Sequence, residues 1–411
     1  MRVLVVSQYF WPEDFRINAI VESLVKRGIE VEVLTGKPNY PEGVIASGYH
    51  AWGCQREQWK GATLHRVPLI PRGTNNRLRL LLNYLSFIIF GLVSGSWLVR
   101  KRQYDVIFVY GLSPILLAIP ALFIGWLKGK KVIIWVQDLW PESLSATGYI
   151  CNRYIIGAVQ QLVRFIYRHA DLLLMQSRAF EEPIRELASD TPLLYYPNSV
   201  DDTFAVPAKS EPPDVAGLVE EFSVMFAGNI GAAQCVDVIV EAALLLKQHT
   251  GIHFVVLGDG SCREDMLKAV QQRGLTNLDL PGRFPIETMP AFMQKASALL
   301  VTLADRPIFA MTVPNKIQAY LASGRPIIAC LNGEGARLVV EAGAGIATPA
   351  EDGQALADTI LRLYQLSPEE RNKMGENGRH YYQEHFDHDH LVDELIEHMQ
   401  AVSQNKKDIN N

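Results

Sequence analysis

The sequence predicts an α/β protein with two domains, each built on a parallel β-sheet. Its 411 residues exceed what one hydrophobic core usually organises, so two domains of about 200 residues each are expected. Short segments rich in Val, Ile and Leu alternate with helical segments from the first residues onward, and this alternation restarts after residue 200. Strands joined through helices, without hairpin signals between them, pair in parallel.

The first half opens with a βαβ unit. RVLVVS at residues 2–7 is a β-branched strand, residues 17–28 have the apolar spacing of a helix closed by Gly28, and IEVEVLTG returns as a strand. Further strands are predicted at VIFVYG, KVIIWVQD and DLLLMQS, with helices up to Leu127 and over residues 152–169.

The second half repeats this pattern after a Pro-rich acidic stretch, AKSEPPDVAGLVEE. FSVMFAGNIG and HFVVLGDG are predicted strands with a helix over residues 234–249 between them, and ALLVTLA, RPIIACL and GIAT supply further strands. We place the domain boundary near residue 200. The predicted segments are residues 1–198, residues 199–384, and a terminal helix at residues 385–403 that packs back on the first domain.

Charge and cysteine content narrow the functional classes. Residues 1–200 carry 22 Lys and Arg against 15 Asp and Glu, while the remainder carries 17 against 29. A basic half suits a domain that meets an anionic surface, whether phospholipid, nucleic acid or pyrophosphate, although chance also produces such asymmetry. The five cysteines are odd in number and show no CxxC spacing. This argues against a disulfide framework or a zinc site and fits a reducing cytoplasm.

Residues 80–99 form an apolar segment without a single charge over 20 positions, flanked by basic residues on both sides. The segment is long enough to span a bilayer. Asn83, Ser86 and two glycines argue against spanning, as do the predicted strands of one sheet before and after it. We favour a helix that lies in the membrane interface, with a spanning helix and a plain buried helix as open alternatives.

Two turns in the second half have the residues of a phosphate or nucleotide site. FAGNIGAAQ ends a strand and opens a helix, so its free backbone N–H groups and the positive end of the helix dipole suit a phosphate. VLGDG ends the next strand at the same edge and allows close approach of a base or ribose. The candidate residues are Gly228, Asn229, Gly231, Gly258, Asp259 and Gly260.

The stretch MTVPNKIQAYLASGRPIIA carries a further candidate phosphate site. Thr312 and Val313 precede Pro314, and a helix is predicted to begin at about Asn315. Lys316 in the first turn is unfavourable for helix stability, because cations are stabilising at the other end of a helix. An anionic ligand would offset this cost, so we predict that Lys316 contacts a diphosphate, with a solvated surface lysine as the alternative.

In the first half, candidate residues follow the strand ends of the predicted sheet. VQDLWPES places Gln137, Asp138 and Glu142 at a carboxyl edge, which is the ligand side of open α/β sheets. A helix-capping role for Asp138 is the alternative. FWPEDFRIN forms the first such loop, where Arg16 is a candidate phosphate contact and Trp11 a candidate stacking surface for a sugar or lipid.

HFDHDH at residues 385–390 has the composition of a metal cluster, but on a helix its side chains spread around the axis. We therefore expect no metal site there.

Four stretches carry a resemblance to a known family over nearly the full chain. They are the opening strand with FWPEDFR, VQDLWPES, the junction YYPNSVDDTF, and AYLASGRPIIA. The chain resembles the GT-B glycosyltransferases, specifically the large retaining family 4, whose two Rossmann-like parallel-sheet domains face a central cleft. SQYFWPE, TGKPNYP and VPNK are similar to bacterial O-antigen and capsule transferases of the L-fucosamine-transferase type.

The chain departs from the family pattern at two glutamates, whose positions are occupied by Met311 and Ala319. Neither residue can bind sugar or ribose hydroxyls through a carboxylate, and Gln318 is a candidate replacement for the ribose contact. The Arg and Lys usual after the first strand of the donor domain are also absent. Lys316 is therefore the candidate main cation on the diphosphate.

The resemblance implies that residues 1–198 form an acceptor-side, membrane-associated domain and residues 199–384 a donor domain. It implies retaining transfer of a sugar such as N-acetyl-L-fucosamine from a UDP-sugar co-substrate, without a metal, to an undecaprenyl-diphosphate-linked sugar. The expected location is peripheral, on the cytoplasmic face of the bacterial inner membrane, with no nucleic acid partner. Front-side transfer would leave Asp138 to orient the acceptor.

Two other functional classes stay open. A nucleotide-sugar epimerase of the same architecture would need acid and base residues around the sugar but neither the apolar helix nor a basic first domain. A non-catalytic sugar-nucleotide-binding component would be favoured if loss of the glutamates means loss of activity.

Overall fold

The structure is a computed structural model whose chain divides into two compact units. One unit is Met1–Pro197 together with the chain from Asp389 onward, and the other is Asn198–His388. The structure describes residues 1–74, 76–146, 152–200, 204, 211–218 and 221–404.

The first unit holds an eight-stranded sheet with the strand order β3-β4-β2-β1-β5-β6-β7-β8. Every neighbouring pair is parallel except β3 and β4. The strands are β1 Arg2–Val6, β2 Glu30–Thr35, β3 Gln55–Trp59, β4 Ala62–Arg66, β5 Val106–Gly111, β6 Lys131–Val136, β7 Leu172–Met175 and β8 Leu193–Tyr195.

The antiparallel β3–β4 hairpin is the main element that the sequence analysis missed. Its strands, QREQW and ATLHR, lack the apolar runs of the buried parallel strands. The turn uses Lys60 and Gly61, both at positive φ, which matches the twist of a two-residue hairpin. Lys-Gly is not a strong turn signal, so the hairpin could not be recognised from local sequence.

Helices cover both faces of this first sheet. The C-terminal helix packs Leu391, Leu395 and Met399 into a core with Val3 and Phe108, so it belongs to the first unit although it follows the second along the chain. The helices are Arg16–Lys26, Arg77–Phe90, a π-helical turn Gly91–Gly95, Ser96–Val99, Ala118–Lys128, Glu142–Ala146, Arg153–Arg168, Glu181–Ala188 and His388–Gln404.

The apolar segment forms one long helical stretch, Arg77–Val99. Among the described residues it is the stretch that has both the length and the apolar composition to cross a bilayer. Its two glycines serve packing within the unit, because a Cβ on Gly91 would lie 2.7 Å from Pro120 Cγ and a Cβ on Gly95 would lie 2.9 Å from Leu34 Cδ2. The helix therefore lies along the sheet.

The second unit holds a six-stranded parallel sheet with the strand order β11-β10-β9-β12-β13-β14. Its strands are β9 Phe222–Ala227, β10 Ile252–Leu257, β11 Leu278–Gly282, β12 Ala298–Thr302, β13 Ile327–Cys330 and β14 Gly345–Thr348. Its helices are Asp237–Leu245, Arg263–Gln272, Met289–Lys295, Pro307–Met311, Asn315–Ser323, Glu334–Glu341, Gly353–Gln365 and Pro368–His385.

Each unit is thus built on a sheet that is parallel apart from the β3–β4 pair of the first, and the predicted fold class of two α/β domains is confirmed. In each sheet the parallel strands end at one edge, where the loops that follow them gather. The candidate residues after β1 and β6 share such an edge in the first unit. Those after β9 and β10 share one in the second.

Candidate functional site

Glycines form the floor of the site in the second unit, where the loops after β9 and β10 touch through their backbones. Gly258 and Gly260 have φ values of 141° and 155°. A Cβ on Gly258 would lie 1.8 Å from the Gly228 carbonyl oxygen, and one on Gly260 would lie 2.4 Å from that of Ile230. The N–H of Ile230 also donates to the Asp259 carbonyl at 2.8 Å. Only glycine allows this approach, so a ligand would meet backbone here.

Lys316 extends beneath this floor. A Cβ on Gly228 would meet the lysine Cε at 2.6 Å, and Nζ lies 3.7 Å from the centroid of the Phe226 ring. The Nζ atom is buried and has no hydrogen-bond partner within the described residues. Burial lowers the pKa of Lys316 to about 7. A buried ammonium without an anionic partner is costly, and a bound anion would remove that cost.

The helix Asn315–Ser323 adds a second source of positive potential at the same place. Pro314 precedes it, and in the described structure no side chain caps its N-terminus. Its first turn has no acidic residue. The free N–H groups and the helix dipole therefore reinforce the charge of Lys316 toward an anion. The side chain of Asn315 accepts a hydrogen bond from Asn198 at 3.2 Å. Asn198 belongs to the YYPNSVDDTF junction, of which residues 201–203 lie outside the described residues.

Three candidate donor residues are occupied within the fold instead. Val313 is buried in the core of the second unit. Thr312 donates its hydroxyl to the Ile308 carbonyl at 2.8 Å. Gln318 is fully buried, and its amide nitrogen, in the orientation that satisfies both amide atoms, donates to the carbonyl of Pro314 at 2.9 Å. These three side chains stabilise the start of the helix. They are therefore not available to a ligand at the strand ends.

Two other predicted donor residues lie at the surface of the two loops. Asn229 is exposed and donates to Gln234 Oε1 at 3.0 Å, and Asp259 is exposed and accepts from the Gly260 N–H at 2.8 Å. Gly231 is buried against Asn229. Ala319, at one of the two positions where the family that the sequence resembles has glutamate, is buried in the core of the second unit.

In the first unit, the charges of three predicted residues act on two buried tyrosines. Burial raises the pKa of Asp138, while a hydrogen bond from the backbone of Ser113 opposes the rise. Burial also raises the pKa of Tyr110 to about 12. The positive charge of Arg16 opposes this rise, and the negative charge of Asp138 adds to it. Charges act in this way only over short distances. The charges of Arg16 and Asp138 therefore both act on Tyr110.

Tyr167 completes this cluster and was not predicted. Its side chain is buried, and its hydroxyl has no hydrogen-bond partner in the described part of the chain. Burial raises its pKa, and the negative charges of Glu142 and Asp138 raise it further. Tyr167 lies inside an amphipathic helix, where nothing in its spacing distinguishes it from a core residue. Tyr110, at the carboxyl end of β5, could have been found by its position.

Glu13 is a second residue that the sequence analysis missed. Its buried carboxylate accepts backbone hydrogen bonds from Asn39 and Tyr40, both at 2.7 Å, and from Phe10 at 3.2 Å. It thereby ties the loop after β1 to the loop after β2, which are the SQYFWPE and TGKPNYP stretches. The exposed Trp11 stands in the first of these loops and stacks on Trp59 at 6.0 Å between ring centroids.

The side chains of the HFDHDH segment contact different parts of the protein. His388 Nδ1 lies 2.9 Å from Ser199 Oγ, and Asp389 forms an ion pair with Arg27 at 2.8 Å. Within residues that the structure describes, no group of three or more His, Cys, Asp and Glu side chains is arranged to hold a metal ion.

Comparison with known proteins gives matches in both halves of the chain. Residues 15–199 match the family described as glycosyl transferase 4-like domain, and residues 221–366 match glycosyl transferases group 1. The chain is 26% identical over 347 residues to WcaI of Escherichia coli, described as a colanic acid biosynthesis glycosyl transferase, covering 79% of this chain and 82% of that protein. It is 28% identical over 308 residues to the glycosyltransferase WbjE of Pseudomonas aeruginosa, covering 72% and 75%.

Solved structures share the fold over almost the whole chain. Sucrose-phosphate synthase from Thermosynechococcus elongatus has a TM-score of 0.71 at 17% identity, covering 98% of both chains. Anabaena HepE, solved in complex with UDP and glucose, has a TM-score of 0.69 at 14% identity, covering 98% of this chain and 100% of that one. At these identities the likeness establishes the fold.

Proposed function

We propose that this chain, a glycosyltransferase with the GT-B fold, transfers a sugar from a UDP-sugar to an undecaprenyl-diphosphate-linked sugar during assembly of a surface polysaccharide. The polysaccharide context is supported by its similarity to WcaI and to the O-antigen chain mannosyltransferase C of Escherichia coli, to which it is 24% identical over 184 residues, covering 42% of this chain and 44% of that protein. The sugar we propose is N-acetyl-L-fucosamine or a related 6-deoxy amino sugar, transferred with retention.

The observation that carries the proposal is the buried ammonium of Lys316 beneath Gly228. It has no hydrogen-bond partner in the region described, and it stands at the uncapped start of a helix. A diphosphate would satisfy both features. HepE, which has the same fold, was solved with UDP, and this supports a UDP-type donor here.

The reaction breaks the bond between the anomeric carbon of the donor sugar and the diphosphate oxygen. Lys316 and the N–H groups of the helix Asn315–Ser323 stabilise the charge that builds on the departing diphosphate. The acceptor hydroxyl forms the new bond on the same face and passes its proton to the leaving phosphate. Asp138 orients the acceptor, and Arg16 and Glu142 are further acceptor contacts. This scheme needs no metal ion.

A radiolabel transfer assay tests this proposal. Purified protein receives labelled nucleotide sugars and undecaprenyl-diphosphate-linked GlcNAc, and label in the lipid phase is counted. We expect Lys316→Ala to lower transfer by about 10²–10³-fold, the usual effect of removing one donor to a developing charge. Lys268→Ala, at an exposed helix position of the same unit, is the matched control.

Other outcomes would contradict parts of the proposal. If Lys316→Ala transfers the sugar as fast as the wild type does, the ammonium has no role in the reaction. Conversion of the nucleotide sugar in the aqueous phase without transfer would identify an epimerase. Binding of UDP without either reaction would identify a non-catalytic component.

For the location, we propose a peripheral protein on the cytoplasmic face of the bacterial inner membrane. The apolar stretch Arg77–Val99 and the basic first half support this assignment. Fractionation tests it, because a peripheral protein is released from membranes by high salt or carbonate. Retention through both treatments would indicate an integral protein.

A further inference from the structure

Two glutamines at the ends of neighbouring strands each have a buried side-chain atom without a hydrogen-bond partner. Gln137 follows β6 and is 8% exposed, and Gln176 follows β7 and is 2% exposed. Within the described part of the chain, Gln137 Nε2 lacks an acceptor and Gln176 Oε1 lacks a donor. Buried polar atoms are hydrogen-bonded in almost all folded proteins, so an orphaned donor beside an orphaned acceptor indicates a missing group. Neither atom takes part in the transfer scheme above.

The sheet places the two side chains next to each other. β6 and β7 are parallel neighbours with Val136 opposite Met175, so the residues that follow, Gln137 and Gln176, are opposite as well. The Gln137 N–H donates to the Gly111 carbonyl at 3.1 Å, and Gln176 Nε2 donates to the Gln137 carbonyl at 3.4 Å. Both side chains therefore stand at the carboxyl edge of the sheet, which is the edge where open α/β sheets bind ligands.

The core beneath the two glutamines fixes their backbones. Trp135, two residues before Gln137, is fully buried, and its indole N–H donates to the Tyr196 carbonyl at 2.9 Å. Its ring packs edge-on against the Tyr196 ring, with 5.0 Å between the centroids. Leu174, two residues before Gln176, lies in the same core. Because side chains alternate along a strand, both glutamines continue this packed face beyond the strand ends. They are thus held in place before a ligand arrives.

The two orphaned atoms determine what kind of group can bind between them. The group has to accept a hydrogen bond from Gln137 and donate one to Gln176. An ionised phosphate or carboxylate only accepts and an ammonium only donates, whereas a hydroxyl does both. Neighbouring strands lie about 4.8 Å apart. One oxygen that bonds both atoms at about 2.8 Å with a tetrahedral angle spans about 4.6 Å, so a single hydroxyl fits between the two amides.

We propose that Gln137 and Gln176 together bind one hydroxyl group of the acceptor sugar and thereby determine which acceptor is used. The proposal deepens the function proposed above and rests on it for the assignment of the hydroxyl to the acceptor, since Asp138, which orients the acceptor in that scheme, directly follows Gln137. An acceptor that lacks this hydroxyl leaves both amides unpaired, and a site built to bond a hydroxyl discriminates strongly against such an analogue.

Calorimetry with a water-soluble acceptor analogue tests the pair. The probe is GlcNAc linked through diphosphate to a short alkyl chain, added without any nucleotide sugar. We expect Gln137→Met and Gln176→Met each to lower the affinity for the probe by about 10- to 100-fold, because each leaves the hydroxyl with one unmade bond in a buried site. Gln272→Met, at an exposed helix position of the other unit, should bind the probe as the wild type does. The affinity for UDP should be unchanged in all three variants.

Probes that each lack one hydroxyl of the sugar ring identify the group that is bound. For one of them, the wild type should lose affinity by the same factor that Gln137→Met loses with the complete probe. Gln137→Met should bind that analogue no more weakly than it binds the complete probe, because the same interaction is already absent. If the two losses multiply for every analogue, no hydroxyl bridges the pair and the proposal is overturned.

Stability separates a binding role of Gln137 from a structural one. Its Nε2 atom has no partner among the residues that the structure describes, so Gln137→Met removes a desolvated donor. The midpoint of urea unfolding should therefore stay the same or rise while the affinity for the probe falls. A lower midpoint together with lower affinity would show that the glutamine only supports the fold and would overturn the proposal.

Further outcomes distinguish the proposal from the function on which it rests. Unchanged affinity for the probe in both methionine variants would show that only water fills the gap and would overturn the proposal. A wild type that does not bind the probe, or a loss of UDP affinity in its place, would overturn it as well. A wild type that transfers no sugar but binds the probe as described would contradict the proposed function and support the hydroxyl-binding pair.

Discussion

At the scale of single residues, the candidate donor site combines backbone that only glycine can provide with one buried cation. Gly228, Gly258 and Gly260 bring two loops into backbone contact, and Lys316 extends beneath them. Each part destabilises the free protein. Glycine loses more conformational entropy on folding than any other residue does, and the buried ammonium loses its hydration. Costs of this kind are typical of functional sites, where ligand binding offsets them.

Gly258→Ala should destabilise the second unit and abolish UDP binding. Its φ of 141° is strained for any residue with a Cβ, and that Cβ would lie 1.8 Å from the Gly228 carbonyl oxygen. We expect a loss of about 2–4 kcal/mol in the free energy of unfolding, measured by urea titration. The matched control is Gly157→Ala in the helix Arg153–Arg168, where no described atom outside its own helix lies within 4 Å of the new Cβ. That change should stabilise by about 0.5–1 kcal/mol, and equal effects of the two substitutions would contradict the argument.

Affinity for UDP should fall as pH rises above 7. Burial lowers the pKa of Lys316 to about 7, so the free protein loses this proton above that pH. A bound diphosphate favours the ammonium and raises its pKa, so binding above pH 7 takes up a proton. The affinity should then drop by up to about tenfold per pH unit until the pKa of the complex is reached. Calorimetry between pH 6 and 9 measures this, and Lys316→Arg, which stays charged, should bind independently of pH over this range.

At the scale of elements, the helical stretch Arg77–Val99 connects the surface of the first unit to its strand-end loops. Asn83 contacts Gln8 after β1, Asn39 after β2 and the carbonyl of Ile70. The sequence analysis counted Asn83 and Ser86 as evidence against a membrane span without assigning them partners. In the structure these two residues mark the buried side of the helix.

Asn83→Leu should cost about 2–4 kcal/mol of unfolding free energy, because it removes the buried hydrogen bonds of Asn83 with Gln8, Asn39 and the Ile70 carbonyl. It should also lower kcat more than it changes the KM for the donor, because the loops that it releases belong to the first unit and the candidate donor site lies in the second. Leu81→Asn, at an exposed position of the same helix, should change stability by less than about 0.5 kcal/mol. Urea titration and initial-rate kinetics measure both variants, and equal stability of the two would contradict the role of Asn83.

At the scale of the whole molecule, the sequence predicted the two parallel sheets because buried parallel strands are continuous apolar runs. It could not predict the β3–β4 hairpin, whose strands are polar, or the strand order, which depends on tertiary packing. The residues of the candidate sites also fall into two groups, those that the local sequence reveals and those that it does not. Lys316 and the glycine loops are recognisable from strand-to-helix turns, whereas Glu13 and Tyr167 become informative only when the fold brings distant segments to them.

The C-terminal helix His388–Gln404 should be required for the first unit to fold, although the whole second unit separates the two in sequence. It buries Leu391, Leu395 and Met399 in the same core as Val3 and Phe108. Residues 1–197 expressed alone would expose that core, so we expect them to aggregate or to unfold at a lower temperature than the same unit in the full chain.

In the full chain, Leu395→Ala should cost about 2–5 kcal/mol, while Glu397→Ala, exposed on the same helix, should cost less than about 0.5 kcal/mol. Because the defect belongs to the first unit, UDP affinity at the Lys316 site should survive Leu395→Ala at temperatures where transfer is lost. Parallel loss of UDP affinity and transfer on heating would instead show that the two units unfold together.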